Sequence, residues 1–249
     1  MAVERPAPHE FGHVTSPDAM AELNMQVIRE AAGMIPVQWD GATVLDVACG
    51  QRQYVVDHLW SGARVRVGAD ISFEAAAANS GVNAACADMY ALPFRTASCD
   101  IVVSLDTIEH AATPERFLTE VGRVLRPGGS AIIITPNLLG YHAMIAKMIG
   151  NFGAEIVWRV LKGRSLPYDL YYRANTIRRL RAIGSERGLE VESVVYVPYV
   201  QHFFWPYAPL RRFFMHYHHA VTRLGMPWLL PNMIVHMRRA DAEPILQNG

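Results

Sequence analysis

A chain of 249 residues, 51% hydrophobic and 18% charged, can bury one large α/β core and is too apolar to be disordered. Lys+Arg and Asp+Glu both number 23, and a formal net charge of zero argues against a protein held to nucleic acid by bulk electrostatics. No apolar run approaches the roughly 18 residues needed to span a bilayer, and the opening MAVERPAPHEFG lacks a signal-peptide core, so a cytoplasmic protein is expected.

The chain divides into an arm (1–16), an α/β core (17–137), a helical insertion (138–174) and a C-terminal part of the core (175–249). The last carries an aromatic-rich insertion at 198–230. In the core, Met20, Leu23, Val27, Ile28 and Ala31 recur at helical spacing up to Gly33. Strands are expected at Thr43–Val47, Arg64–Ala69, Val82–Cys86, Asp100–Leu105 and Ala131–Thr135. Between them fall a short helix at Tyr54–Trp60, one capped by Ser72 and leaving through Gly81, and one opened by Thr113-Pro114. Several strands are continuous apolar runs, the pattern of parallel strands covered on both faces by helices. Such sheets bind ligands at the carboxyl ends of their strands. The three cysteines, Cys49, Cys86 and Cys99, lack metal-ligand spacing and read as reduced, buried thiols; no metal site is expected.

The first strand ends in Val44-Leu-Asp-Val-Ala-Cys-Gly50, where small residues let a ligand approach the backbone. Twenty positions past Gly50, at the end of the second strand, stands Asp70 beside Ile71. A carboxylate there can accept both hydrogen bonds of a ribose diol, or else cap the following helix. After the third strand, Asp88 can accept from an adenine amine, with the Met89 N–H reaching a ring nitrogen. The fourth strand continues through Leu105-Asp-Thr-Ile-Glu-His110, and the next helix ends in Arg126-Pro-Gly-Gly129.

Over about residues 40–137 these ordered motifs resemble the class I S-adenosylmethionine-dependent methyltransferases. The resemblance implies a doubly wound, mostly parallel seven-stranded sheet, with Leu189–Val197 and Asn232–Arg238 as its last two strands. It implies S-adenosyl-L-methionine as cofactor and S-adenosyl-L-homocysteine as product. The cofactor contacts carry over to Asp46, Ala48, Gly50, Arg52, Asp70, Ile71, Asp88, Met89, Leu105 and Asp106. The family's turn reads Asp-x-Gly-x-Gly-x-Gly; here Ala48 and Arg52 replace the first and third glycines.

Methyl transfer to an amine needs a neutral nucleophile, whereas a hydroxyl gains from a general base. His110, with Glu109 to orient it, is one candidate, set against a structural helix-start role; Tyr141 and His142 follow the fifth strand. Asn137 is expected to cap a helix at Leu138–Ile149, and the following segment is either a substrate lid or a packing unit. Residues 196–219 hold nine of the chain's 24 aromatics. Leu210, Phe213, Phe214, Tyr217, Val221 and Leu224 form one helical stripe, with His218 largely on another face. The stripe reads first as core or homodimer interface, and only second as a surface that lies on a membrane or covers an apolar substrate; Tyr196–Leu224, with the insertion at Asn151–Arg173, is also expected to wall the acceptor side. A small-molecule acceptor, a natural product, a sugar or a lipid-linked compound, is the expected partner. Aminocarboxypropyl transfer and a non-catalytic cofactor-binding subunit are the alternatives, and a nicotinamide dehydrogenase fits the turn less well.

Overall fold

The structure, a computed structural model, describes residues 3–4, 17–51, 62–163, 165–198 and 208–241. The expected helix at Tyr54–Trp60 and the residue Arg52 lie outside them. The strands are β1 (Val3–Glu4), β2 (Thr43–Val47), β3 (Val65–Asp70), β4 (Asn83–Cys86), β5 (Cys99–Leu105), β6 (Leu125–Pro136), β7 (Leu189–Val197) and β8 (Asn232–Arg239). The helices are α1 (Pro17–Gly33), α2 (Phe73–Ala78), α3 (Pro114–Val124), α4 (Tyr141–Lys162), α5 (Ile177–Ser185) and α6 (Ala208–Arg223).

The strands form one sheet in the order β1-β7-β8-β6-β5-β2-β3-β4. Every described pairing is parallel except those of β8, which runs antiparallel between β6 and β7. Seven of these strands are the Rossmann-like set the sequence implies; β1, pairing Val3 with Val194, is a two-residue addition at the β7 edge. Alternate residues of the central strands serve opposite faces. Val44, Ile101, Val103, Ile132 and Ile134 pack with Val27, Ile28 and Ala31 of α1. Leu45, Val102 and Ile133 pack with Phe117, Leu118 and Val121 of α3 and Leu180 and Ile183 of α5. Both faces are therefore dry, which is why these strands are apolar without a break.

Local signals explain most ends. Ser72 caps α2 by accepting from the Ala75 N–H, as its position before an alanine run requires. Gly81 is not that helix's left-handed exit: Asn79 is the C-cap, and its side-chain oxygen takes the Gly81 N–H. Asn137 caps no helix. Its amide donates to the carbonyls of Trp228 and Leu230, fastening the end of β6 to the entry of β8, and Gly140 is the N-cap of α4. The helix α4 runs on to Lys162 across a kink at Gly150, whose φ of 64° and ψ of −177° are open to glycine.

From β2 the chain builds outward to β3 and β4, then returns to β5 on the other side of β2. The carboxyl ends of β2 and β5 therefore flank the point where strand order reverses.

Candidate active site

Ala48, Cys49 and Gly50 follow β2. The Ala48 and Cys49 N–H groups both donate to the Ala69 carbonyl, at 2.7 and 3.1 Å, folding the turn onto the end of β3. Ala48 holds φ 61° and Gly50 φ 57°. Among the described residues nothing lies within 4 Å of where a Cβ on this glycine would stand. Asp70 ends β3 buried, one carboxylate oxygen accepting from the Gly50 N–H and the other from the Ser72 N–H, each at 2.9 Å. Asp70 thus ties the turn to the start of α2, and both sequence readings of it, ligand contact and anchor of the next helix, share the same carboxylate.

Ile71 is exposed beside it. Asp88 is exposed and accepts from the Tyr90 N–H, while Met89 is half-buried against the core. Asp46 is buried within β2. Of the cysteines, Cys49 and Cys99 are buried and Cys86 is exposed, against the expectation of three buried thiols. Burial, reinforced by Asp46 and Asp70, pushes the Cys49 thiol up to about 12, leaving it inert.

At the end of β5, Leu105 is half-buried and Asp106 takes φ 47°. Tyr172, which overlies the same region, takes φ 49°. Three of the four non-glycine residues with positive φ, among those described, thus stand at Ala48, Asp106 and Tyr172. Strained backbone of this kind persists where the surroundings over-determine it, most often at binding sites. Asp106 is exposed at its surface, yet the protein packed around it raises its carboxyl to about 6 by desolvation.

Glu109 was expected to orient His110, and it does not. It is buried, accepting from the Thr135 hydroxyl at 3.1 Å, and Thr135 accepts in turn from the Asn175 amide at 2.8 Å. Burial first, and the neighbouring Asp106 second, hold its carboxyl well above the usual range. Its backbone carbonyl accepts from the Tyr171 and Tyr172 N–H groups, which clamps the 165–175 segment over the end of β5. His110 is oriented by that same segment. Its Nδ1 lies 2.8 Å from the Asp169 carbonyl, and Tyr168 meets the ring edge-on at 5.7 Å. A carbonyl only accepts, so Nδ1 carries the proton and Nε2 is left as the acceptor. Burial lowers the imidazole's pKa, which keeps the ring neutral.

Tyr141 and His142 point elsewhere. Tyr141 is buried against α6, stacked on Phe214 at 4.1 Å and edge-on to Tyr217 at 5.5 Å. Both ring nitrogens of His142 are buried without a hydrogen-bond partner, and burial lowers its pKa to about 4. The α6 stripe is split as well. Phe214, Val221 and His218 face inward, while Phe213 and Leu224, about a quarter turn away, are exposed. The Asp169, Thr135, Tyr172 and Asn175 contributions were not legible in the sequence; only Thr135, a polar residue closing the run Ile132-Ile-Ile, gave a local hint.

A carboxylate at the end of β3, a glycine turn after β2 and an acidic position after β4 lie at the carboxyl ends of their strands, where doubly wound sheets bind their ligands. The family model of the "Methyltransferase domain" matches residues 45–133. A ubiquinone biosynthesis O-methyltransferase of Brucella anthropi is 28% identical over 171 residues, 66% of this chain and 67% of that one. Its counterpart from Rhizobium rhizogenes is 30% identical over 167 residues, covering 64% and 65%. The chain therefore spans about two thirds of the length of these relatives. An S-adenosylmethionine-dependent methyltransferase structure from Mesorhizobium loti, 17% identical, superposes with a TM-score of 0.57 over 84% of this chain and 95% of that one, sharing the fold. Residues 45–133 thus match a methyltransferase domain, and the chain resembles the class I S-adenosylmethionine-dependent methyltransferases, whose methyl donor is S-adenosyl-L-methionine.

Proposed function

We propose that the chain methylates a hydroxyl on a small or lipid-linked acceptor. The observation that carries this reading is the tautomer of His110: a neutral ring, its Nδ1–H engaged by the Asp169 carbonyl, its Nε2 left to accept a proton at the carboxyl end of β5. The relatives from Brucella anthropi and Rhizobium rhizogenes, both O-methyltransferases, agree with an oxygen nucleophile.

The residues fit the cofactor in this way. Asp70 would hold the ribose, Ala48 and Gly50 would admit the methionine end to the backbone, and Ile71, Asp88 and Met89 would frame the adenine. When bound, the sulfonium supplies an electrophilic methyl. The chain's own part is to align the acceptor hydroxyl, take its proton at His110 Nε2, and exclude water. The 165–175 segment, pinned through Glu109 and through the Arg173 guanidinium on the Ala112 carbonyl, is the natural cover.

The test is His110→Gln with a hydroxyl acceptor. A lost general base costs about 100- to 10,000-fold in kcat, with cofactor affinity unchanged and the acidic limb of the pH–rate profile removed. A loss under about threefold with the profile intact would leave His110 a packing group and point to an amine or a pre-ionised acceptor.

A further inference from the structure

The α4 helix presents an apolar face that the rest of the described chain leaves open. Met144 and Met148 before the Gly150 kink, and Phe152, Ile156 and Val160 after it, each recur every four residues, and all are exposed, with Met148 at 79%, Phe152 at 81% and Val160 at 76%. Ile145, Ile149 and Val157 widen the stripe and are exposed too. A helix in a monomeric protein does not ordinarily leave so many large apolar groups in water. On neighbouring α6, joined to α4 through Tyr141 and Phe214, Phe213 and Leu224 are also exposed.

Charge identifies the occupant. The chain as a whole balances at 23 against 23, yet among the described side chains of α4 and α6 Lys147, Arg159, Arg212 and Arg223 stand against one acid, Glu155. Glu155 is already paired with Arg159 at 2.6 Å. An isologous contact with a second copy would set this basic region against itself, and like charges facing each other across an interface are repelled. An anionic bilayer complements it, because apolar side chains enter the acyl boundary while Lys and Arg stay at the headgroups. No helix among the described residues is long and apolar enough to cross a membrane.

We propose that α4 is an interfacial anchor, lying against an anionic lipid surface by its exposed apolar side chains on both sides of the Gly150 kink, with Lys147, Arg159, Arg212 and Arg223 at the headgroups. The anchor begins five residues past the end of β6, so docking sets the acceptor side of the sheet against the bilayer. It rests on α4 and α6, and its test uses no acceptor, so it stands or falls apart from the O-methylation reading.

The experiment is flotation of the full chain with vesicles of phosphatidylcholine alone and of phosphatidylcholine mixed equally with phosphatidylglycerol. The protein should float with the mixed vesicles, less so with phosphatidylcholine, and less again at high salt. The double variant Met148→Glu with Phe152→Glu should bind about tenfold more weakly at an unchanged melting temperature, since both side chains are exposed. Phe152→Trp should shift its emission to the blue on the mixed vesicles only. Absence of flotation overturns the proposal. So does flotation that the double variant leaves intact, or a dimer by sedimentation that the double variant dissociates without any vesicle binding.

Discussion

The two halves of the sheet meet their ligands by different means. At the ends of β2, β3 and β4 the site is made of backbone and short side chains: the Ala48–Gly50 turn, Asp70 between two N–H groups, and the exposed Asp88. At the ends of β5, β6 and β8 it is made of side chains brought from far away. His110 takes its orientation from a carbonyl 59 positions on, Thr135 from an amide 40 positions on, and Asn137 fastens to a carbonyl 93 positions on. A cofactor that never changes is suited by a fixed backbone cradle. The acceptor side, built from an insertion and an added helix, changes without disturbing that cradle.

Asp70→Ala cuts deepest into that contrast. The substitution removes a charged acceptor from the Gly50 and Ser72 N–H groups and, in the reading above, from the ribose. A hydrogen bond to a charged group contributes about 1.5–3 kcal/mol, so S-adenosylhomocysteine affinity by calorimetry should fall at least about tenfold. The described acceptor-side contacts share no partner with Asp70, so the His110 environment, followed by its ring proton shifts, should stay as it is. Unchanged affinity would take Asp70 out of the cradle and erase the distinction between the halves.

The cofactor half was legible in the sequence because its signals are local. Thr43–Val47, Ser72 and Asp70 each act on residues within a few positions, or on a neighbouring strand at a fixed offset from a turn. The acceptor half was read less well for the same physical reason. Glu109 next to His110 suggested a pair, but the 3-10 turn at Ile108–His110 sends the two side chains to different partners. Asn137 before an apolar run suggested a cap, and the entry to β8 claimed it instead. His218, placed on the polar side of α6 by its chemistry, is buried; Leu224, placed on the apolar side by its chemistry, is exposed. Composition names a stripe, but only the neighbouring helix decides which part of it is covered.

A second probe lies on the acceptor half, at the α4–α6 junction. His142 has a folded pKa of about 4, depressed from 6.5 by burial. The unfolded chain therefore binds the extra proton between those values. Its contribution to stability is whole above about pH 6.5 and is lost as pH falls toward 4, amounting to about 2–3 kcal/mol near pH 4.5. His218, at about 3, acts in the same direction, while the raised carboxyls of Asp106 and Glu109 act in the opposite one. The wild-type curve alone is therefore ambiguous, and the variant resolves it. His142→Leu should lose less stability than wild type, by about that amount, between pH 7 and about pH 4.5 in denaturant titrations. Parallel curves would place His142 in water. Cofactor affinity at neutral pH should not change, which keeps the two halves separate.

The smallest effect concerns Ala48, one of two places where the turn departs from the glycine pattern it resembles. Ala48 stands where a glycine is usual, and its φ of 61° is left-handed. An L-residue there costs about 1–2 kcal/mol through contact of Cβ with the following carbonyl. The side chain is exposed, so Ala48→Gly forfeits no packing. Against the relief stands the greater freedom of glycine in the unfolded chain, worth about 0.4–1 kcal/mol. The net expectation is a stabilisation of up to about 1 kcal/mol, read as a rise in the denaturation midpoint with an unchanged slope. The hydrogen bonds that fold the turn, from the Ala48 and Cys49 N–H groups to the Ala69 carbonyl, involve backbone only and survive the change. Cofactor affinity should therefore stay within about twofold, because the cradle is set by backbone that glycine follows without strain. A large gain in affinity would mean that Ala48 holds the turn away from its best geometry, and that the strain is part of how this enzyme uses the methionine end of its cofactor.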